Sequence, residues 1–215
     1  MFYKPSLYSF TEVFSECFRE IHDELMAVIN LPLASLDSQT WAGERPSYLK
    51  TEGDENLAWK TYVFKFFCID HLPNLNSCPT IAKLLARFPE IVTAEFSMLA
   101  PQSHILPHRG YTDKLLRAHL GMVLPSGDIG IKVGDAVRKW KQNEWLVFDD
   151  SILHEAWNNT KENRIVLMID FEPNLDKDKA LEVSKEILGR TNDKHMLDIA
   201  PNNVWLDWLD KGSLP

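Results

Sequence analysis

The chain is 215 residues long, 45% hydrophobic and 25% charged, which fits one globular domain and excludes disordered or fibrous architectures. With 31 acidic against 23 basic residues, a formal net charge of -8, it lacks the clustered Lys and Arg that a nucleic-acid partner requires. No apolar run reaches the ~18 residues of a membrane span, and the first ten residues lack the pattern of a signal peptide. Three cysteines (Cys17, Cys68, Cys78) are too few for a disulfide framework, so the expectation is a cytoplasmic protein with no membrane partner.

In chain order, Ser9 and Glu12 have capping-box spacing, and apolar residues from Val13 to Ile29 recur at three- and four-residue steps, which predicts one helix. Pro32 and the polar stretch 35–47 read as loop. Residues 59–69 are dense in aromatic and β-branched side chains and predict a strand; Pro79 to Phe88 predicts a short helix ended by Pro89. Six apolar or alternating runs follow: 92–99, 116–124, 129–133, 138–141, 145–148 and 165–171. Turn signals separate them, and no helical pattern intervenes. This spacing predicts an antiparallel sandwich or barrel. A helix over 178–188 is expected next, with Gly189 as its C-cap, and then a tail whose Trp205 and Trp208 either seal the domain's own helical layer or form a dimer contact. The oligomeric state is not legible. The chain thus reads as one domain, 1–215: a helical part to about 90, a β core over 91–172, and a C-terminal helix and tail over 173–215.

Four histidines invite chemistry: His104, His108, His119 and His154. In a double-stranded β-helix, two histidines from an early and a late strand converge in the barrel mouth, as His108 and His154 are placed to do. A basic residue about ten positions after the second, here Arg164, reaches the same cavity. Imidazoles suit ferrous iron, usually with one carboxylate, and an arginine can hold a dicarboxylate cosubstrate through both its N–H groups. The plainer alternatives are satisfied strand-end histidines and an Arg164 paired with Glu155 or Glu162.

The segments Pro107-His108-Arg109-Gly110-Tyr111-Thr112, Leu116-Arg117-Ala118-His119-Leu120-Gly121 and Phe148-Asp149-Asp150-Ser151-Ile152-Leu153-His154-Glu155-Ala156-Trp157 form a long and specific combination. The stretch from Phe96 to Phe171 that contains them resembles the catalytic domain of the aspartyl/asparaginyl β-hydroxylase family of Fe(II)/2-oxoglutarate oxygenases. The upstream Cys78-Pro79-Thr80 segment, through Phe88-Pro89, is similar to that family's helix before the barrel. The resemblance implies a mainly β (α+β) fold, a double-stranded β-helix or cupin-like jelly roll flanked by N- and C-terminal helices. It implies His108 and His154 as iron ligands, and Asp150 as a catalytic residue that hydrogen-bonds an iron-bound water. Arg117 and His119 would bind the C1 carboxylate of 2-oxoglutarate; Ser97 and Arg164 would bind its C5 carboxylate. Gly110 stands where most oxygenases of this broad class carry Asp or Glu, and the family shares that glycine.

Independently, Arg117 and His119 lie two apart on one strand and so share a face, expected to be the barrel interior. The implied activity consumes O2 and 2-oxoglutarate, yields succinate and CO2, and hydroxylates a C–H bond; ascorbate is the expected assay reductant. The family's arginine two residues before Arg117 is replaced by Leu115, which points away from peptidyl aspartate. With no membrane segment or fused repeat domain expected either, a small substrate follows, a free or a carrier- or peptide-bound amino acid. Trp59, Tyr62, Phe64, Arg109, Tyr111 and Lys114 are candidate pocket residues. The alternatives are a halogenase on the same scaffold, which the charge of Asp150 disfavours, and a non-catalytic jelly-roll binding protein.

Overall fold

In the computed structural model, residues 1–32, 40–44 and 46–214 are described. Of the stretch read as loop, 35–39 and 45 lie outside them, while 42–44 form a strand rather than loop. The strand β1 (Phe2–Tyr3) precedes helices α1 (Ser9–Glu16) and α2 (Phe18–Val28). The single helix expected here is broken at Cys17, whose ψ of 14° ends the first segment and starts the second. Strands β2 (Ala42–Glu44) and β3 (Leu49–Thr51), the short helix α3 (Glu55–Ala58), β4 (Trp59–Phe66), β5 (Ile69–Asp70), α4 (Leu72–Ser77) and α5 (Pro79–Arg87) follow.

The β core comprises β6 (Ile91–Leu99), β7 (Ser103–His108), β8 (Leu116–Val123), β9 (Ile129–Val133), β10 (Ala136–Arg138), β11 (Trp145–Phe148), β12 (His154–Asn158) and β13 (Arg164–Phe171). Two of these, β7 and β12, have no counterpart among the six predicted runs. Helices α6 (Lys177–Arg190), α7 (Lys194–Ile199) and α8 (Asn202–Lys211) close the chain. Gly189 is not a C-cap: α6 runs through it to Arg190, with Thr191 as the cap, and Leu206 of α8 packs against it.

Apart from the β9–β10 hairpin, successive core strands alternate between two antiparallel sheets. The larger has the order β1-β11-β8-β13-β6-β4-β2, with β5 on β4; the smaller has the order β10-β9-β12-β7-β3. Strands β6, β8, β11 and β13 in one sheet face β7, β9, β10 and β12 in the other, which is the double-stranded β-helix that was expected.

Each large-sheet strand presents two faces, as the period of two requires. Leu116, Ala118, Leu120 and Met122 of β8, with Ile165, Leu167, Ile169 and Phe171 of β13, pack beneath α1, α2 and α5. The interior between the sheets holds a separate apolar cluster that includes Ile105, Ile131, Trp140, Phe148 and Val166. A third cluster lies under α6–α8 and buries Trp205, whose indole N–H donates to the Met196 carbonyl at 3.0 Å. Trp208 packs edge-on against Trp205, so the tail seals the domain's own helical layer. Among the described residues, no helix is long and apolar enough to cross a membrane.

Candidate active site

The interior face of the large sheet is a grid set by register. Arg117 on β8 lies opposite Asp170 on β13; His119 opposite Met168, which is itself opposite Glu95 on β6; and Val166 opposite Ser97. Arg117, His119, Ser97 and Arg164 therefore point into the barrel, because their strand neighbours fill the helical side.

The small sheet brings the two histidines to meet them. His154 pairs with His108, yet two residues later Ala156 pairs with Ile105, so β7 carries one extra residue. This β-bulge lets both Ile105 and His108 face inward, which strict alternation forbids. The two imidazole centroids lie 4.2 Å apart, tilted at 53°. His108 Nδ1 bonds the Leu106 carbonyl and His154 Nδ1 the Ile152 carbonyl, both at 2.9 Å. A carbonyl accepts only, so each Nδ1 carries the proton and each Nε2 keeps its lone pair, the form a metal requires. Burial holds both imidazoles neutral, lowering His108 to about 4 and His154, which His108 also disfavours, to about 3. Tyr48 stacks flat on His108, with centroids 4.2 Å apart and planes within 4°.

A β-carbon built on Gly110 would collide with the Asp150 carboxylate. The place over Gly110 is thus taken by a carboxylate from another loop. Gly110 N–H also donates to the Asp150 carbonyl at 2.8 Å. Burial raises the Asp150 carboxyl to about 6 against the pull of Arg117, whose Nη2 lies 3.2 Å from Oδ2. Arg117 further grips Asp170 as a fork, with Nε to Oδ1 at 2.7 Å and Nη2 to Oδ2 at 2.8 Å. Glu95, buried beside them, has its carboxyl pushed well up by desolvation first and by Glu44 next.

Deeper in the barrel lie two donors without acceptors. Arg164 is 1% exposed, and its Nε lacks a hydrogen-bond partner. Its Nη1 donates to the Ser97 carbonyl at 3.3 Å, and burial lowers it to about 9. It pairs with neither Glu155 nor Glu162: Glu155 binds His104 at 2.8 Å on the outer face of the small sheet. His119 Nε2 is likewise buried and unpartnered, while burial and the two arginines hold the ring neutral. Ser97 Oγ, also buried, accepts from the Trp59 indole at 2.9 Å. A buried guanidinium without a carboxylate and a nearby imidazole N–H fit an anion, which is the chemistry of a dicarboxylate cosubstrate. The two free Nε2 atoms fit a divalent metal. Among the described residues, no group of three His, Cys, Asp or Glu side chains is arranged to hold one.

Of the candidate pocket residues, Trp59 faces inward. Tyr62 and Phe64 are corrections: they lie on the opposite face of β4, fully buried in the helical-side core. Lys114 is tied to Glu186 of α6, at a cavity of about 400 Å³ lined by Tyr111, Val183 and Arg190. Tyr111 packs edge-on against Phe67, and Arg109 donates to the Ser151 carbonyl beside Asp150. Leu115 is buried in the cluster under α6–α8, so an apolar residue there serves packing. Asp170, Glu95, Tyr48 and Trp140 are site residues that sequence reasoning missed. Counting in twos from Arg164 would have found Asp170.

The sequence profile of the aspartyl/asparaginyl β-hydroxylase family matches residues 15–173. The chain belongs to this family. Among its relatives, an ornithine lipid ester-linked acyl 2-hydroxylase from Rhizobium tropici is 36% identical over 53% of this chain and 41% of its own length. The human aspartyl/asparaginyl beta-hydroxylase is 33% identical over 45% of this chain and 14% of its own. The chain therefore spans less than half the length of these curated relatives. Among solved structures, a 2OG-Fe(II) oxygenase family oxidoreductase from Burkholderia pseudomallei matches 76% of this chain and 91% of its own, with a TM-score of 0.48 and 13% identity. That likeness is too distant to transfer residue roles.

Proposed function

We propose that this β-hydroxylase family member is an Fe(II)/2-oxoglutarate-dependent hydroxylase acting on a small substrate, a free or a carrier- or peptide-bound amino acid. The observation that carries the reading is the coexistence, on the inward faces of the barrel, of two neutral histidines with Nε2 left to accept and a buried Arg164 without a carboxylate. His108 and His154 would hold the iron. Arg164, with Ser97 beside it, would take the C5 carboxylate of 2-oxoglutarate, and His119 the C1 end, in the positive potential of Arg117. The iron and cosubstrate supply the oxidising power when bound, with succinate and CO2 as coproducts. The protein's part is to orient the dicarboxylate between two fixed donors, to keep both ligand imidazoles unprotonated, and to place Asp150 where water beside the metal can donate to it.

Asp150 also weighs against halogenation. Its carboxylate fills the volume over Gly110 that a halide would need, and a negative charge there repels one. A non-catalytic role leaves the unpaired Arg164 unexplained. The amino-acid reading rests on Leu115, which stands where the family's arginine is expected. The relatives' names divide between an aspartyl/asparaginyl and a lipid acyl hydroxylation and do not choose between substrates.

The test is a product-mass screen over free amino acids, peptides and carrier-loaded amino acids with Fe(II), ascorbate and 2-oxoglutarate. A product heavier by one oxygen supports the proposal; a chloride-dependent product overturns it.

A further inference from the structure

Trp140, 4% exposed, follows β10 in the chain and has no place in the roles above. Its indole N–H points at His119 Nδ1, 3.3 Å away. An indole nitrogen only donates, so Nδ1 must be the acceptor, and the neutral ring must carry its proton on Nε2. That is the buried nitrogen with no partner in the protein. The same indole lies against the other unsatisfied group, with the Arg164 guanidinium carbon 4.8 Å from its ring centroid, within the range of a cation–π contact.

We propose that Trp140 is a positioning residue for the cosubstrate: its N–H locks His119 in the tautomer that aims a donor into the barrel, and its ring face fixes and supports Arg164. This rests on the 2-oxoglutarate reading above and deepens it, because one side chain prepares both ends of a dicarboxylate site. Without the indole N–H, His119 could place its proton on Nδ1 and turn a lone pair toward the incoming carboxylate, a repulsive contact at a buried position. Phe148, edge-on to His119 with centroids 5.1 Å apart, limits escape by ring rotation.

The experiment uses the full chain, metal-free and with Zn(II) in place of Fe(II). Long-range proton–nitrogen NMR correlations on histidine-labelled protein report the His119 tautomer, and calorimetry reports 2-oxoglutarate affinity. Wild type is expected to show Nε2–H; Nδ1–H in wild type overturns the proposal without any variant. Trp140→Phe keeps the ring and removes the N–H. It should shift His119 toward Nδ1–H and weaken 2-oxoglutarate about tenfold, one lost donor to a charged acceptor, and Trp140→Ala should weaken it further. An unchanged tautomer in Trp140→Phe overturns the proposal. In a His119→Gln background, where an amide supplies the donor with no tautomer to fix, Trp140→Phe should change affinity less than twofold; a full tenfold loss there also overturns it. If the tautomer shifts as expected but wild type binds no 2-oxoglutarate, the tautomer control stands and the cosubstrate reading fails.

Discussion

The Asp150 carboxylate occupies the place that a side chain on Gly110 would take, although the two residues are 40 positions apart. The constraint on Gly110 is space, since its φ is not among the left-handed ones. Gly110→Ala forces a β-carbon into a buried carboxylate, an overpacking cost of about 1–3 kcal/mol. It should lower thermal stability and abolish most turnover. Adding Asp150→Gly removes the collision and should restore stability but not turnover. Additive losses in the double variant would contradict this geometry.

Arg117 and Asp170 form a fork-to-fork pair with both side chains no more than 13% exposed. Asp170→Ala leaves Arg117 with Asp150 alone and should cost about 3–5 kcal/mol in urea unfolding, the range for breaking one side of a buried pair. A loss under 1 kcal/mol would show that Asp150 suffices.

Arg164 predicts an opposite trade. Its guanidinium is buried without a carboxylate, so Arg164→Met removes an unfavourable charge while keeping most of the volume. The KM for 2-oxoglutarate should rise more than tenfold while the melting temperature of the metal-free chain holds or increases. A fall of several degrees with KM unchanged would mean that Arg164 serves the fold.

Acid should destabilise the metal-free chain. His108 and His154 titrate near 4 and 3 when folded, and histidine titrates near 6.5 when unfolded. Between those values the unfolded state binds more protons, so each contribution is complete above about pH 6.5 and is lost as pH falls through the folded value. Asp150 runs the other way: raised to about 6, it makes the folded state bind the extra proton on acidification. His119, held neutral like His108 and His154, adds to the loss on acidification, and Glu95, raised like Asp150, opposes it. The share of His108 and His154 alone should lower the urea midpoint between about pH 6.5 and 4. In His108→Gln/His154→Gln that fall should flatten or reverse; a slope parallel to wild type would refute the assignment.

The large sheet was readable because its strands alternate cleanly: Arg117 and His119 inward follows from Leu116, Ala118 and Leu120 outward. Strands β7 and β12 were not, because histidines, Pro107 and Asn158 hide their apolar positions and the bulge opposite His154 and Ala156 breaks the period. Yet that irregular pair carries both candidate ligands, and it was residue identity and motif, rather than pattern, that found them. Tyr62 and Phe64 went astray because an aromatic run does not say which face meets the cavity. Trp140 falls in the run read as 138–141, but the strand there ends at Arg138 and the pattern says nothing of what the indole meets, so only contacts revealed its role.

The most direct measurement is anaerobic equilibrium binding of Fe(II), followed by admission of air and quantification of succinate formed from 2-oxoglutarate. The account predicts one iron per wild-type chain and iron-dependent succinate, at least slowly without substrate, with both lost in His108→Ala and in His154→Ala. Succinate formation that persists in those variants, or a wild-type chain that binds no iron, would contradict it.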